Sequence, residues 1–385
     1  MNDAIKNGYI NWIDGMKISK DHFIDMQRAI EDRVRDARSV GTSSIDFGLI
    51  PGKLNGKSSL EYNILIEQGN RIVVELYQCR AISPAGDRVE IVSSLNSHTI
   101  ALKKDFAIDS SFQDDRTYDI IVKVNSFDLS PYGEPDVEES PPRHPYAQPA
   151  YELEIAPSDE IKLNEHNRNY VIIARVGSQR GEVKEIKEFI PPSLTMESAP
   201  ELEEFFFKYH KFMVDLEQHL FRIVIKLNGA QQKTQLASNV DVMSRNLLDV
   251  IERELDSVSL ICRRSSPIYL VRQSMSMART IRHSIELMTN LGKDEFLNYI
   301  QEIIDMSPGE YMNVHTELCN LDYDPYNLHN ALSKILAFCQ VNARLFDEWS
   351  RLDYIGKKKN TDIYVAEKPM DTRAEAPKPK GKWDF

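Results

Sequence analysis

Apolar and polar positions follow three successive periods along the chain. Residues 20–38, KDHFIDMQRAIEDRVRDAR, set Phe23, Met26 or Gln27, Ile30 and Val34 three to four residues apart, with charges between them. That spacing predicts one short amphipathic helix, stopped by Gly41. From about residue 45 to 190 the period falls to two. LEYNILIE (60–67), RIVVELYQCRAI (71–82), DRVEIV (87–92), HTIALK (98–103), YDIIVKVNSF (118–127), AYELEIA (150–156) and YVIIARV (170–176) each read as a strand. Turn signals part them at Gly69-Asn70, at Pro84-Ala85-Gly86-Asp87 and at Gly177. Short strands with turns at this frequency predict an antiparallel β-sandwich or a barrel-like domain. PYGEPDVEESPPRHPYAQP (131–149) carries six prolines and an acidic cluster, the composition of a stiff, exposed loop between strands.

Pro191-Pro192, inside FIPPSL (189–194), suits neither a ladder nor a helix interior and sets a domain boundary. Beyond it the period is helical to about residue 353. Leu202, Phe206, Tyr209, Met213, Leu216, Leu220, Ile223 and Leu227 step by four and three in alternation until Gly229. This is an a/d repeat, the spacing of an oligomerisation seam between chains and equally of a bundle seam within one chain. A second stripe runs from Leu236 to Cys262, and a third starts at Pro267. Shorter helices are predicted at about 293–305 and 309–320, and a last one at about 326–352, entered through Asp324 as N-cap and Pro325. Residues 357–385 lose periodicity and read as a disordered tail, whose Trp383-Asp384-Phe385 is either a frayed end or a small docking peptide. The whole predicts a multidomain α+β chain. An arm and helix (1–40) lead into a β-sandwich (41–193), an α-helical bundle (194–353) and a tail (354–385).

Composition narrows the function. Of 385 residues, 42% are apolar and 28% charged, the balance of a soluble globular chain. Lys and Arg number 47 against 59 acids, a net charge of −12, which disfavours nucleic acid and anionic membrane as partners. The densest basic run, Lys357-Lys358-Lys359, is short. Cys79, Cys262, Cys319 and Cys339 are scattered and read as reduced thiols rather than a disulfide framework. The opening residues lack the pattern of a secretory signal, and no apolar run reaches a membrane span. A cytoplasmic location follows, with membranes reached only through another protein and without direct insertion.

Catalytic signatures are missing: neither phosphate-binding glycine motif occurs, nor H-E-x-x-H, nor G-x-S-x-G. His315 and Cys319 share a helix face, but nothing nearby in sequence supplies a third and fourth metal ligand, so a structural role is expected. DYDPYN (322–327) starts like a calcium loop, yet Asn327 and Ser333 stand where glycine and glutamate are required. His22, His210, His219 and His283 fall in helical patterns as packing or surface residues. No catalytic residue, metal or cofactor is expected.

Several segments together resemble one family, the TssK baseplate subunits of bacterial type VI secretion systems. WIDGMKISKDHF resembles the family's N-terminal signature through Trp12, Gly15, Met16, His22 and Phe23. AISPAGDRVEI (81–91) resembles its strand–turn–strand through Pro84 and Gly86. FIPPSL, SSPIYLVRQSMSMA (265–278) and YDPYNLHNAL (323–332) resemble later elements in the same order. The resemblance implies a β-sandwich like the shoulder domain of phage receptor-binding proteins, then a helical bundle, with three chains forming a homotrimer. It further implies binding to the TssF–TssG–TssE wedge through the N-terminal domain, and a link to the membrane complex through a C-terminal head. Only some 30 residues follow position 353, too few for such a head, which leaves the tail as a route to a membrane anchor. Residues 10–23 then read as a docking arm in which Trp12, Ile13 and Met16 present apolar surface and Gly15 leads into the helix. The arm either packs on its own sandwich or bridges to a neighbouring chain or a wedge subunit. Two other readings stay open: a phage-tail-like module that reads a receptor or glycan through loop 131–149, and a hydrolase with a dispersed active site.

Overall fold

The computed structural model describes residues 5–42, 45–52, 58–67, 71–92, 101–107, 115–163, 168–179, 182–229 and 234–355. The Gly69-Asn70 turn, the start of the 98–103 strand, Lys357–Lys359 and the Trp383-Asp384-Phe385 tail lie outside the described residues. The chain divides into two compact units, residues 1–200 with 324–328, and residues 201–323 with 329–385.

Among the described residues, the first unit opens with helix α1 (Lys20–Gly41) and continues as nine strands with one short helix. The strands are β1 (Gly48–Leu49), β2 (Leu60–Glu67), β3 (Arg71–Ile82), β4 (Arg88–Val92), β5 (Leu102–Ala107), β6 (Thr117–Tyr132), β7 (Tyr146–Pro157), β8 (Tyr170–Gln179) and β9 (Glu182–Glu185). Helix α2 (Ser158–Leu163) joins β7 to β8. All pairings between these strands are antiparallel, in two sheets. In one, β3 is the hub: β2 and β1 share its one edge, β5 and β4 the other. The other runs β7-β6-β8-β9. Ile72, Val74 and Leu76 of β3, Ile120 and Val122 of β6, and Val171 and Ile173 of β8 are fully buried. β-Branched side chains dominate this set, as a pleated core favours.

β8 pairs with β6 only as far as Lys123, whereas β7 follows β6 to the Tyr132–Tyr146 pair. Past Asn125 the two therefore continue as a two-stranded ribbon. The stretch expected as a loop, 131–149, is the end of this ribbon and a built tip. There Asp136 bridges to Arg143, whose guanidinium donates to Glu139 at 2.6 and 2.8 Å.

Residues 324–328 complete the first unit. The Asp324 carboxylate accepts the Tyr326 N–H at 2.9 Å, as the expected cap of a short 3₁₀ turn. The Tyr326 ring packs 5.3 Å from Phe47, and its carbonyl accepts from Arg175 at 3.2 Å. Arg175 is itself paired with the buried Asp119.

The second unit is helical: α3 (Pro200–Asn228), α4 (Gln235–Leu260), α5 (Pro267–Glu286), α6 (Asn290–Ile304), α7 (Pro308–Cys319) and α8 (Leu328–Arg351). Thr234, Thr289 and Ser307 cap α4, α6 and α7 with their hydroxyls, and proline opens α5 and α7. All eight residues of the α3 stripe are buried, none more than 4% exposed. Tyr209 reaches Met277 of α5, and Phe212 meets Phe338 of α8. The stripe expected to join chains is thus buried within one chain.

His315 behaves as a core residue. Its Nδ1–H donates to the Tyr311 carbonyl at 2.7 Å, and its Nε2 accepts from the Asn342 amide at 3.1 Å. Asn342 in turn accepts the Tyr311 hydroxyl at 3.2 Å and donates to Phe338 at 2.8 Å. Burial pushes the His315 pKa down to about 4, so the ring is neutral at pH 7. Among the described residues no group of His, Cys, Asp and Glu could hold a metal ion. The four free cysteines are buried, and burial drives the Cys79 thiol up to about 12, away from reactivity. No described helix is long and apolar enough to cross a membrane.

Candidate docking surface

The N-terminal arm is clamped to α1 by one carboxylate. Asp32, fully buried, accepts the backbone N–H groups of Lys6 and Asn7 at 2.6 and 2.8 Å and the Asn7 amide at 3.1 Å. Arg35 completes its shell at 3.1 Å. Burial raises the Asp32 pKa, but these hydrogen bonds outweigh burial and hold it below the ordinary value. Beside it, Arg33 lies 3.5 Å over the Tyr9 ring and donates to the Asn7 carbonyl at 3.1 Å.

From there the arm turns at Ile13–Met16, where the Met16 N–H returns to the Ile13 carbonyl at 3.1 Å. Gly15 takes a φ of 79°, which the third position of such a turn requires. The Ser19 N–H then donates to Nδ1 of His22 at 3.0 Å, satisfying a donor at the entry of α1. The Trp12 ring rests on that first turn, 6.0 Å from the His22 ring and 6.5 Å from Phe23.

α1 itself is inverted. Its buried residues are Ala29, Asp32, Arg35 and Ser39, a largely polar set. Its apolar stripe faces outward: Phe23 is 52% exposed, Ile30 51% and Val34 36%. Two contacts explain the inversion. The β3–β4 turn approaches so closely at Gly86, φ 86°, that a Cβ there would lie 2.6 Å from the Arg35 carbonyl. In addition, the Arg35 guanidinium sits 5.6 Å over Phe127 while it holds Asp32. The polar face of α1 is thus committed to backbone and charge partners. Each outward side chain, about half exposed, forgoes part of the ~1.5–3 kcal/mol that full burial would give.

One flank of the stripe borders a cleft of about 490 Å³ between α1 and the ribbon, with Ile24, Glu31 and Arg38 on the helix side and Phe127, Leu129 and Pro149 on the ribbon side. Burial raises the Glu31 carboxyl, with Arg38 pulling the other way. Asp87, beneath the cleft, is raised by burial against the hydrogen bond it accepts from Ser126 at 2.7 Å.

Of the arm residues singled out by sequence, the structure brings Trp12, His22 and Phe23 together. Ile13 stands apart, 65% exposed, and Met16 is half-buried. Tyr9, Asp32, Arg33 and Arg35, which fix the arm, had no motif to mark them. Their signal was the i, i+3 charge pair 32/35 on the side opposite Phe23, Ile30 and Val34. A second exposed apolar set, Phe207, Phe221 and Ile225, lies on α3 away from its buried stripe.

No family model matches the chain, and no curated protein does. Solved structures do. A crystal structure of TssK is 15% identical, over 86% of this chain and 68% of that one, at a TM-score of 0.49. TssK from the type VI secretion system of EAEC, solved with a nanobody, is 14% identical over 84% of this chain and 99% of that one, at 0.48. A chain of the TssK-TssF-TssG baseplate subcomplex is 14% identical over 90% of this chain and 99% of that one, at 0.47. In the course of its backbone the chain is similar to these TssK structures along most of its length.

Proposed function

We propose that the chain is a structural adaptor without catalytic chemistry, a baseplate subunit of a type VI secretion system. It assembles through its N-terminal arm and α1. The observation that carries this reading is the inverted helix: apolar side chains are held outward by a polar face that is fully engaged, and an exposed apolar patch of this kind marks an interaction surface. The ordered TssK-like segments in the sequence support it. The partners proposed are TssF, TssG and TssE-like wedge subunits, with two further copies of the chain completing a homotrimer. Since the inner α3 stripe is used within the chain, the outer set Phe207, Phe221 and Ile225 is the surface to which the trimer is assigned. A cytoplasmic site of action, with a membrane anchor reached through the C-terminal tail, completes the proposal.

The test is co-expression with the wedge subunits. Trp12→Ala combined with Met16→Ala should lower the recovered wedge at least tenfold, while the helical circular dichroism and solubility of the chain stay unchanged. Loss of soluble protein in the double variant would instead assign the arm to packing. Light scattering of the intact chain at micromolar concentration should return three times the chain mass, and a stable monomer would remove the trimer.

A further inference from the structure

We infer that an exposed apolar patch of the helical unit, at Val242 and the α5–α6 turn, is covered by residues 357–366 of this same chain. The occupant is the chain's own continuation beyond α8.

Two contacts assemble the patch. Asn246 of α4 donates to Ser284 of α5 at 3.1 Å. Seven residues earlier, Asn239 lies against Gly292, where a Cβ would come 3.5 Å from its amide nitrogen. Val242, four residues before Asn246 on the same helix face, is thereby set against Met288 and the turn that joins α5 to α6. That turn carries Leu287 and Leu291, 86% and 85% exposed, and Val242 is 53% exposed. Contiguous apolar surface of this kind marks a contact site.

The chain leaves α8 at the same end of the unit. Lys226 of α3 donates to the Ser350 carbonyl at 2.9 Å and also to that of Leu352. Two residues on, Asn228 accepts from Arg245 of α4 at 2.7 Å, and Arg245 lies three residues from Val242. The exit is therefore two helix neighbours from Val242, about 16–20 Å at 8–10 Å per helix pair. Ile355 is buried at this exit. Ile363 follows eight residues later, and eight residues span at most roughly 26–29 Å.

The chemistry of the continuation matches the patch. Residues 356–385 carry eight basic against five acidic residues, in a chain of net charge −12. Lys357-Lys358-Lys359 comes first, and Ile363-Tyr364-Val365 is the next apolar cluster. Ile363 and Val365 share one side of an extended segment, which suits them to Leu287 and Leu291. Asp294, exposed one turn after Leu291 and without an ion pair among the described residues, is the acid the lysines meet. Phe221 and Ile225 lie nearer the exit, but the exposed Arg222 stands between them and repels a run of three lysines. Residues 367–385 remain for the anchoring role proposed above.

Photocrosslinking of the intact purified chain tests this, with p-benzoylphenylalanine at Leu287 or at Leu291. The expected product migrates at the mass of one chain, with the link in the tryptic peptide that starts at Asn360. Ile363→Asp combined with Val365→Asp should lower that product at least tenfold. The same double variant should speed amide hydrogen exchange across residues 286–292 at least fivefold, with the helical circular dichroism unchanged. A product at twice the chain mass would give the patch to a second copy and overturn the inference. Links elsewhere in the chain, no link at all, or unchanged exchange in the double variant would overturn it too. Each of these outcomes leaves the docking role of the N-terminal arm untouched.

Discussion

Asp32 does at the level of one residue what the arm needs as a whole. It is a buried carboxylate whose charge is met by two backbone N–H groups, an amide and a guanidinium. Replacing it with Asn removes the charge but keeps the shape, and should cost about 1–3 kcal/mol through weakened bonds to the arm. The expected readout is faster proteolytic cleavage within residues 5–18, together with a shift in Trp12 fluorescence. Because the Asp32 pKa is lowered in the folded chain, the stability it contributes is present above the ordinary aspartate pKa of about 3.9 and is lost as pH falls through the folded value. Acid should therefore release the arm in the wild-type chain and change little in Asp32→Asn. Sequence showed the aromatic residues of this site plainly, through their density. It did not show Asp32, since a carboxylate at a helical surface position looks solvated until its partners, 25 and 26 residues upstream, are known.

Among elements, period was legible and orientation was not. The limits of β2 and β3 agree with the expected 60–67 and 71–82, because alternation and turn chemistry mark both ends. β1 and β9, two and four residues long, are too short to establish a period in the sequence. Six prolines hide the strand pattern of the ribbon, so its sequence reads as a loop, although Pro149 sits opposite Leu129 on an edge strand, where proline is tolerated. α1 and α3 both read as amphipathic, but which face turns inward is decided by what packs against them. In α3 the apolar face won; in α1 the Asp32–Arg35 pair and the Gly86 turn prevailed. A similar polar fastening joins α7 to α8 through His315 and Asn342. With the His315 pKa at about 4 in the folded chain against 6.5 ordinarily, the unfolded chain takes up a proton first. The stabilisation is full above about pH 6.5 and declines by about 3 kcal/mol as pH falls towards 4. The midpoint of urea unfolding followed at 222 nm should fall over that window, and His315→Gln should flatten the dependence.

At the scale of the molecule, the change from strands to helices was visible in the sequence, whereas the return of residues 324–328 to the first unit was not. Nothing in YDPYN marks it as belonging to strands more than a hundred residues earlier. The contacts it makes there are with Phe47 and Arg175, and they predict that a fragment ending at residue 200 is unstable. A synthetic peptide spanning residues 320–330 should raise the melting temperature of that fragment by several degrees, and Tyr326→Ala in the peptide should abolish the effect. An unchanged melting temperature with the wild-type peptide would mean that the β unit closes without it.

The same five residues set an order of events on the ribosome. Translation at ~5–20 residues per second spends about 6–25 s on the 123 residues from 201 to 323, after the last strand has been made. Throughout that interval the nascent β unit holds Phe47 without its aromatic partner and Arg175 without its carbonyl acceptor. Chaperone binding to the emerging chain should therefore persist until Tyr326 has left the exit tunnel.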